Sequence, residues 1–278
     1  MFNRVWLLTK TELYKLSHQK FSYLLLVFVA FNAFLVGLGS RIFPALIASM
    51  SGGGGGAAFD GYTFASVIAT GTFSSAGAGT IAMLAFSGSM VATETESGTL
   101  RNIMTRPVNR HDFILSKALS LFIYCAVIVA LTAVLSITAG ASLYGMGDVA
   151  IQETGEVYRT RGEMFFNMGV SFGMDLISLY AVACMGLLLS VIVNNASWAV
   201  ITPLVIYFPV MFLKNFDIFS GWIFTAYMDL GQNILREMVV VKSKAWLPDA
   251  YTFFAVNIPT IAVLLACSIL VFNKKEIH

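Results

Sequence analysis

The amino-acid sequence predicts an all-α membrane protein with six transmembrane helices. Of its 278 residues, 58% are hydrophobic and only 12% are charged, and the mean hydropathy is +0.79. A soluble domain carries about 25% charged residues, so this chain has too little polar surface to cover a globule in water. Its uncharged runs are long enough to cross a hydrocarbon layer of about 30 Å. The formal net charge of +2 comes from short basic clusters beside apolar runs. They form no continuous basic face, which argues against a nucleic-acid partner.

The elements follow in chain order. Residues 1–20 place Phe2, Val5, Trp6, Leu13 and Leu16 on one helical stripe with Arg4, Lys15 and His18 away from it, which predicts an interfacial elbow helix. The basic residues before Phe21 imitate a secretory leader, but the apolar run to Ser40 is too long and no cleavage pattern follows, so it reads as an uncleaved first span at about 21–42. Gly52 to Gly56 then break any helix. No strand precedes these glycines and no Gly-Lys-Ser/Thr follows them, so they are a loop and not a phosphate cradle. Span two lies within the charge-free stretch Gly61 to Thr93, and the small residues from Ser74 to Thr80 predict a close helix contact there. Span three is expected at about 115–140, capped by Asn109 with Asp112. Residues 148–163 read as a loop. Spans four and five, at about 168–192 and 197–213, are separated by Asn194-Asn195 and form an antiparallel pair. Residues 214–249 are too charged to span and predict short surface helices, before span six at about 251–272.

Six spans place both termini on one side. The N-terminal helix, the loop 94–117 and the tail hold ten of the seventeen Lys/Arg, so these segments are expected in the cytoplasm and residues 52–56 and 148–163 outside. Residues 1–20 thus form the elbow and residues 21–278 the six-span domain, with a cytoplasmic loop at 94–112 and an external helical segment at 214–249.

Few polar groups interrupt the spans. Asp175 reads as the only charge within one, and a carboxylate at a helix centre costs about 2.5–3.5 kcal/mol. One to two turns into span four it would lie near the outer interface, where hydration is cheap, so a structural role is favoured over a proton or substrate role. Asn32 and Asn257 suit interhelical hydrogen bonds. Cys125, Cys184 and Cys267 read as small buried hydrophobes. His18, His111 and His278 lack metal-ligand spacing, so no metal site is expected.

The most informative stretch is Glu94-Thr95-Glu96-Ser97-Gly98-Thr99-Leu100-Arg101-Asn102-Ile103-Met104-Thr105-Arg106-Pro107-Val108-Asn109-Arg110. Leu100, Ile103 and Met104 form one apolar patch on a short helix that Pro107 terminates, with arginines around it. A patch of that kind in a loop between two spans calls for a cytosolic partner to bury it.

This stretch resembles the loop between spans two and three of the ABC type-2 permease family, in its acidic residues, Gly-Thr-Leu and Arg-Pro-Val-x-Arg. The N-terminal helix, the six-span layout, the short turn between spans four and five and the helical insert before span six are also similar to that family. The resemblance implies a coupling helix built from Glu94, Glu96, Gly98, Thr99, Leu100, Arg101, Ile103, Met104, Arg106 and Pro107, docking on a separate ATPase subunit. It implies two such ATPases, which carry ATP and Mg while this chain binds no cofactor, and a second permease subunit, giving a homodimer or a pair with a similar permease. It further implies export by alternating access, with spans two and five lining the path through Phe73, Phe86, Trp198, Tyr207, Phe208 and Phe212. The expected location is the inner (plasma) membrane of a prokaryotic cell. No Walker A motif is present in the sequence, so ATP hydrolysis must come from another chain and this subunit is not an enzyme by itself.

A secondary transporter or channel is the competing reading, but such proteins usually place ionisable or broken-helix sites near the bilayer midplane, where these spans are almost charge-free. An intramembrane enzyme would need a nucleophile–base or metal constellation that the spans lack. The cargo is not legible, since an uncharged cavity suits lipids, apolar peptides or drugs alike.

Overall fold

The computed structural model describes residues 2–42, 78–100, 109–144, 149–150, 157–159, 161–216, 221–228, 230–231 and 247–275. Seven helices organise them: α1 (Phe2–His18), α2 (Lys20–Ile42), α3 (Ala78–Glu96), α4 (Arg110–Tyr144), α5 (Arg161–Ile192), α6 (Ala196–Leu213) and α7 (Leu247–Lys274). Four of them contain segments long and apolar enough to cross a membrane: Arg110–Leu135, Met168–Ile192, Ala196–Leu213 and Pro248–Lys274. Lys20–Phe31 is a shorter apolar helical segment. The protein is a multi-pass helical membrane protein.

The helix boundaries follow from local chemistry. Asn109 precedes α4, and its Nδ2 donates to Asp112 Oδ2 at 3.4 Å, so the two residues expected to cap the helix meet through their side chains. Gly98, at φ +69°, follows the end of α3 in the left-handed region that glycine adopts at least cost. The loop expected at 148–163 is more ordered than alternation alone suggested: Val149–Ala150 pairs antiparallel with Val157–Arg159, and α5 already begins at Arg161. In 214–249 the described residues include a 3₁₀ turn at Phe224–Tyr227 and helical residues at 230–231, α7 starts at Leu247, and residues 217–220, 229 and 232–246 lie outside the described residues.

Small residues decide how the bundle closes. Helix α3 packs against both α5 and α6, and α6 has more of its packing on α3 than on its chain neighbour α5. A Cβ at Gly88 of α3 would collide with the Ala199 carbonyl oxygen and come within 2.7 Å of Pro203 Cγ, while one at Gly186 of α5 would collide with Ser87 Oγ and come within 3.3 Å of the Gly88 nitrogen. Pro203 has no N–H to give the Ala199 carbonyl, and that carbonyl is the group Gly88 faces. Ser190 Oγ of α5 accepts from the backbone N–H groups of Val91 at 2.9 Å and Ala92 at 3.1 Å on α3. Of the expected contact at 74–80, residues 74–77 lie outside the described residues; Gly79 and Thr80 are buried.

The main core joins Leu16 of α1, Leu25 and Val29 of α2, Met83 and Phe86 of α3, Leu121 and Ile128 of α4, Leu187 of α5 and Phe272 of α7. A second cluster gathers Leu84, Val182, Tyr207, Phe224 and Met228. At the opposite end, Met174 and Phe253 pack with Leu230.

Candidate functional site

The polar chemistry of the described residues concentrates at one end of the bundle, where α3 runs into the 97–109 segment and α4 leaves it. Lys117 belongs to the apolar part of α4, and its side chain is 0% exposed. Its ammonium lies 3.0 Å from Glu12 Oε2 of α1 and 3.0 Å from Glu94 Oε2 of α3. Lys15 of α1 closes the circuit, 3.0 Å from Glu12 Oε1 and 3.0 Å from Glu94 Oε1. Two carboxylates and two ammonium groups thus alternate around a neutral ring. Lys117 also donates to the Met90 carbonyl at 3.4 Å and sits 4.9 Å from the Phe113 ring centroid. Its contact with Glu94 satisfies the ion-pair distance without hydrogen-bond alignment.

Charge geometry sets the titration of the members on α1. Burial pushes the Glu12 carboxyl up, but the opposing pull of Lys117 and Lys15 outweighs it, and Glu12 titrates below its ordinary value of 4.5. Burial lowers Lys15, and Glu94 and Glu12 more than reverse that, so Lys15 titrates above 10.5.

Neighbouring ion pairs and caps tie the remaining helix ends to the same place. Glu96 Oε2 accepts from the Ala196 N–H at 2.8 Å. This carboxylate on α3 caps the start of α6, whose own N-cap Asn195 makes no side-chain cap bond. Arg110, the first residue of α4, donates to the carbonyls of Phe272, Asn273 and Lys275 at 2.9–3.1 Å, a cation on the C-terminus of α7. Lys275 donates to the Val191 carbonyl near the end of α5 at 2.7 Å, and burial lowers the pKa of its ammonium. Thus α1, the end of α3, the start of α4, the end of α5, the start of α6 and the end of α7 meet at one face.

Of the expected coupling residues, Glu94 and Glu96 join this assembly, Gly98 makes the turn and Thr99 is exposed, its Oγ1 donating to the Glu94 carbonyl at 3.3 Å. Leu100 is 1% exposed and belongs to the main core, so the subunit itself buries one corner of the Leu100–Ile103–Met104 patch. Arg101, Ile103, Met104, Arg106 and Pro107 lie outside the described residues.

The expected path residues divide. Phe86 is buried and stacks on Tyr124 with ring centroids 4.5 Å apart. Tyr207 is buried and its hydroxyl donates to Met228 Sδ at 3.3 Å. Trp198, Phe208 and Phe212 are exposed and fall, with Ile201 and Val205, on one stripe along the side of α6 opposite Ala199, Pro203 and Tyr207. Phe73 lies outside the described residues. Within one subunit, the described members are divided between the buried clusters and the exposed side of α6.

Three sequence readings need correction. Asp175 is not the only charge within a span, because Lys117 lies inside α4 as well. Nor does water reach Asp175 cheaply: the span starts at Met168 as expected, but the carboxylate is buried, with Gly231 placed so that a Cβ there would be 3.0 Å from Asp175 Oδ1. The stripe assigned to α1 is the buried face only in part, for Leu13 and Leu16 pack on the core but the polar Thr9 and Glu12 share that face and Trp6 is exposed. A helix that docks through an ion ring turns its polar residues inward, so hydrophobic periodicity misjudges its buried face. The missed residues Glu12 and Lys117 carried a signal nonetheless, as the only acid of the first helix and a lysine inside an otherwise apolar span.

A bundle of apolar helices, four of them long enough to cross a bilayer, with its ion pairs gathered where α3 and α4 meet a loop, defines a polytopic membrane protein. The family model described as ABC-2 family transporter protein matches residues 8–214, well over half of the chain. The chain belongs to that family and is an ABC-2 transporter permease. Among curated proteins no match is found.

Proposed function

We propose that this permease is the membrane-spanning half of an ATP-driven exporter, working with a separate ATPase that docks on the loop between α3 and α4. The carrying observation is the ring Glu12–Lys15–Glu94–Lys117 at the root of that loop. A force applied to residues 97–109 enters α3 at Glu94 and α4 at Arg110. From there the ion ring transmits it to α1, and the Glu96 cap and Arg110 bonds transmit it to α6 and α7. ATP and Mg belong to the partner, and the permease contributes the lever and the path. The gathering of helix ends at one face supports six crossings with α2 and α3 as spans one and two, both termini being cytoplasmic. The exposed aromatic stripe of α6 suits a path formed between two permease subunits, with alternating access by rigid-body movement of one against the other.

The test uses Ile103→Asp, which places a carboxylate on the part of the apolar patch left for the ATPase once Leu100 is buried, with Asn102→Asp as the control. Ile103→Asp should abolish copurification of the ATPase while membrane insertion persists, and the control should keep the partner. Retention of both the ATPase and ATP-coupled turnover in Ile103→Asp would favour a secondary transporter or channel instead.

A further inference from the structure

Helix α1 faces two ways. Its inward side carries Thr9, Glu12 and Leu16, all buried. Along its outward side Trp6, Lys10, Tyr14 and His18 follow one another at four-residue intervals, a continuous helical row. Lys10 Nζ lies 5.8 Å from the Trp6 ring centroid, and the Tyr14 and His18 rings are 4.3 Å apart. Trp6 is 44%, Leu7 65% and Tyr14 68% exposed, and Arg4, Lys10 and Lys20 are exposed beside them. The single acid of the helix, Glu12, is held in the ion ring. The outward face therefore combines aromatic rings with cations, and α1 itself adds no carboxylate to balance them.

We infer that this face binds anionic phospholipid headgroups of the leaflet it adjoins, with Arg4, Lys10 and Lys20 on the phosphates and Trp6 and Tyr14 seated at the boundary with the acyl chains. The inference rests on α2 crossing the bilayer. Two observations choose a lipid surface as the occupant. Tryptophan and tyrosine concentrate at membrane–water interfaces because each has an apolar body and a polar tip. Continuity is the second: α2 begins just two residues after α1 ends, and its first turns expose Phe21, Tyr23 and Leu24, side chains suited to lipid. A purely zwitterionic surface would accept the aromatics but would offer no net negative charge to the cations. Each Lys or Arg near an anionic surface strengthens attachment by about fivefold.

The experiment places the full chain, with Trp198, Trp222 and Trp246 changed to Phe, in nanodiscs and follows quenching of Trp6 by brominated phosphatidylglycerol against brominated phosphatidylcholine. Phosphatidylglycerol should quench severalfold more strongly at equal mole fraction, with the preference weakening as salt rises. Arg4→Gln with Lys10→Gln should remove most of that severalfold preference while leaving phosphatidylcholine quenching unchanged, which also reports that the helix is still docked. Arg4→Lys should keep the preference. Equal quenching by the two lipids, or a preference that survives loss of both cations, would overturn the proposal. Absence of quenching by either lipid would assign the face to a protein partner and would overturn it too, without touching the proposed docking of an ATPase on residues 97–109.

Discussion

Lys117 illustrates how a single side chain can be both costly and necessary. Desolvating an ammonium costs several kcal/mol, and only well-placed opposite charges offset it. Here Glu12 and Glu94 supply them from two other helices, so the cost falls due whenever either helix leaves. Lys117→Met keeps the length of the side chain but leaves Glu12 and Glu94 with only the half-exposed Lys15 between them, and should lower stability by about 3–5 kcal/mol. Glu12→Gln leaves Lys117 paired with Glu94 and should cost clearly less, a ranking that thermal melts of the purified permease can check. An equal or smaller loss for Lys117→Met would mean that the ring contributes nothing beyond packing. The pH dependence has a definite sign. Since Glu12 titrates below 4.5 in the folded protein, its contribution is complete above that value and is lost as pH falls through the lowered pKa. Lys15, raised above 10.5, contributes fully below that value and loses its share as pH climbs past the raised one. The melting advantage of the wild type over Glu12→Gln should therefore hold through neutral pH and shrink in acid. Glu94 was legible from its place in the motif, whereas its partners were not, because residues 12, 94 and 117 meet only in three dimensions.

Helix α3 is the element on which the arrangement turns, held between α5 and α6 by residues that are small or lack a side chain. In lipid, where apolar surface gains little by leaving its solvent, close backbone approach and interhelical hydrogen bonds supply the association. Gly88 and Gly186 mark the two approaches, but they are not equivalent. At Gly88 the obstacle is the Ala199 carbonyl and the ring of Pro203, neither of which can rotate away, whereas at Gly186 it is first the Ser87 hydroxyl, which can. Gly88→Ala should therefore cost about 1–3 kcal/mol as an overpacked contact and Gly186→Ala less. Denaturation of the two variants in one detergent would show the order, and a reversed order would place the tight contact elsewhere. The sequence marked this helix as one that packs closely, from its run of small residues. It did not mark Ser87 and Gly88 as the described points of approach, because small residues permit contact along the whole helix and the position of Pro203 on α6 selects among them.

At the scale of the whole molecule the spans were the most legible feature, since hydropathy reports the solvent a helix prefers, and α4, α5, α6 and α7 fall where apolar runs predicted them. The ribbon at Val149–Arg159 was not legible, two short strands being too brief for alternation to register. Parity offers a test that hydropathy cannot. Lys15 meets Glu94, Glu96 meets Ala196 and Arg110 meets Lys275, so the first helix, the loop after α3, the turn before α6 and the end of α7 share one face. Under the proposed six-span topology, in which α2 and α3 join the four long apolar helices, an even number of crossings returns the end of α7 to the face of α1. On that topology Asn109 belongs to the side of Lys275, and residues 52–56, outside the described residues, are expected on the other. Gly54→Cys and Asn109→Cys, made separately with Cys267→Ser since Cys125 and Cys184 are buried, should label from opposite sides of sealed cells with a membrane-impermeant maleimide. The basic bias puts Asn109 inside, so Gly54→Cys should react in intact cells and Asn109→Cys only after the membrane is opened. Reaction of both in intact cells would remove one crossing between them, and the shared face of helix ends would then need a different threading of α2 and α3.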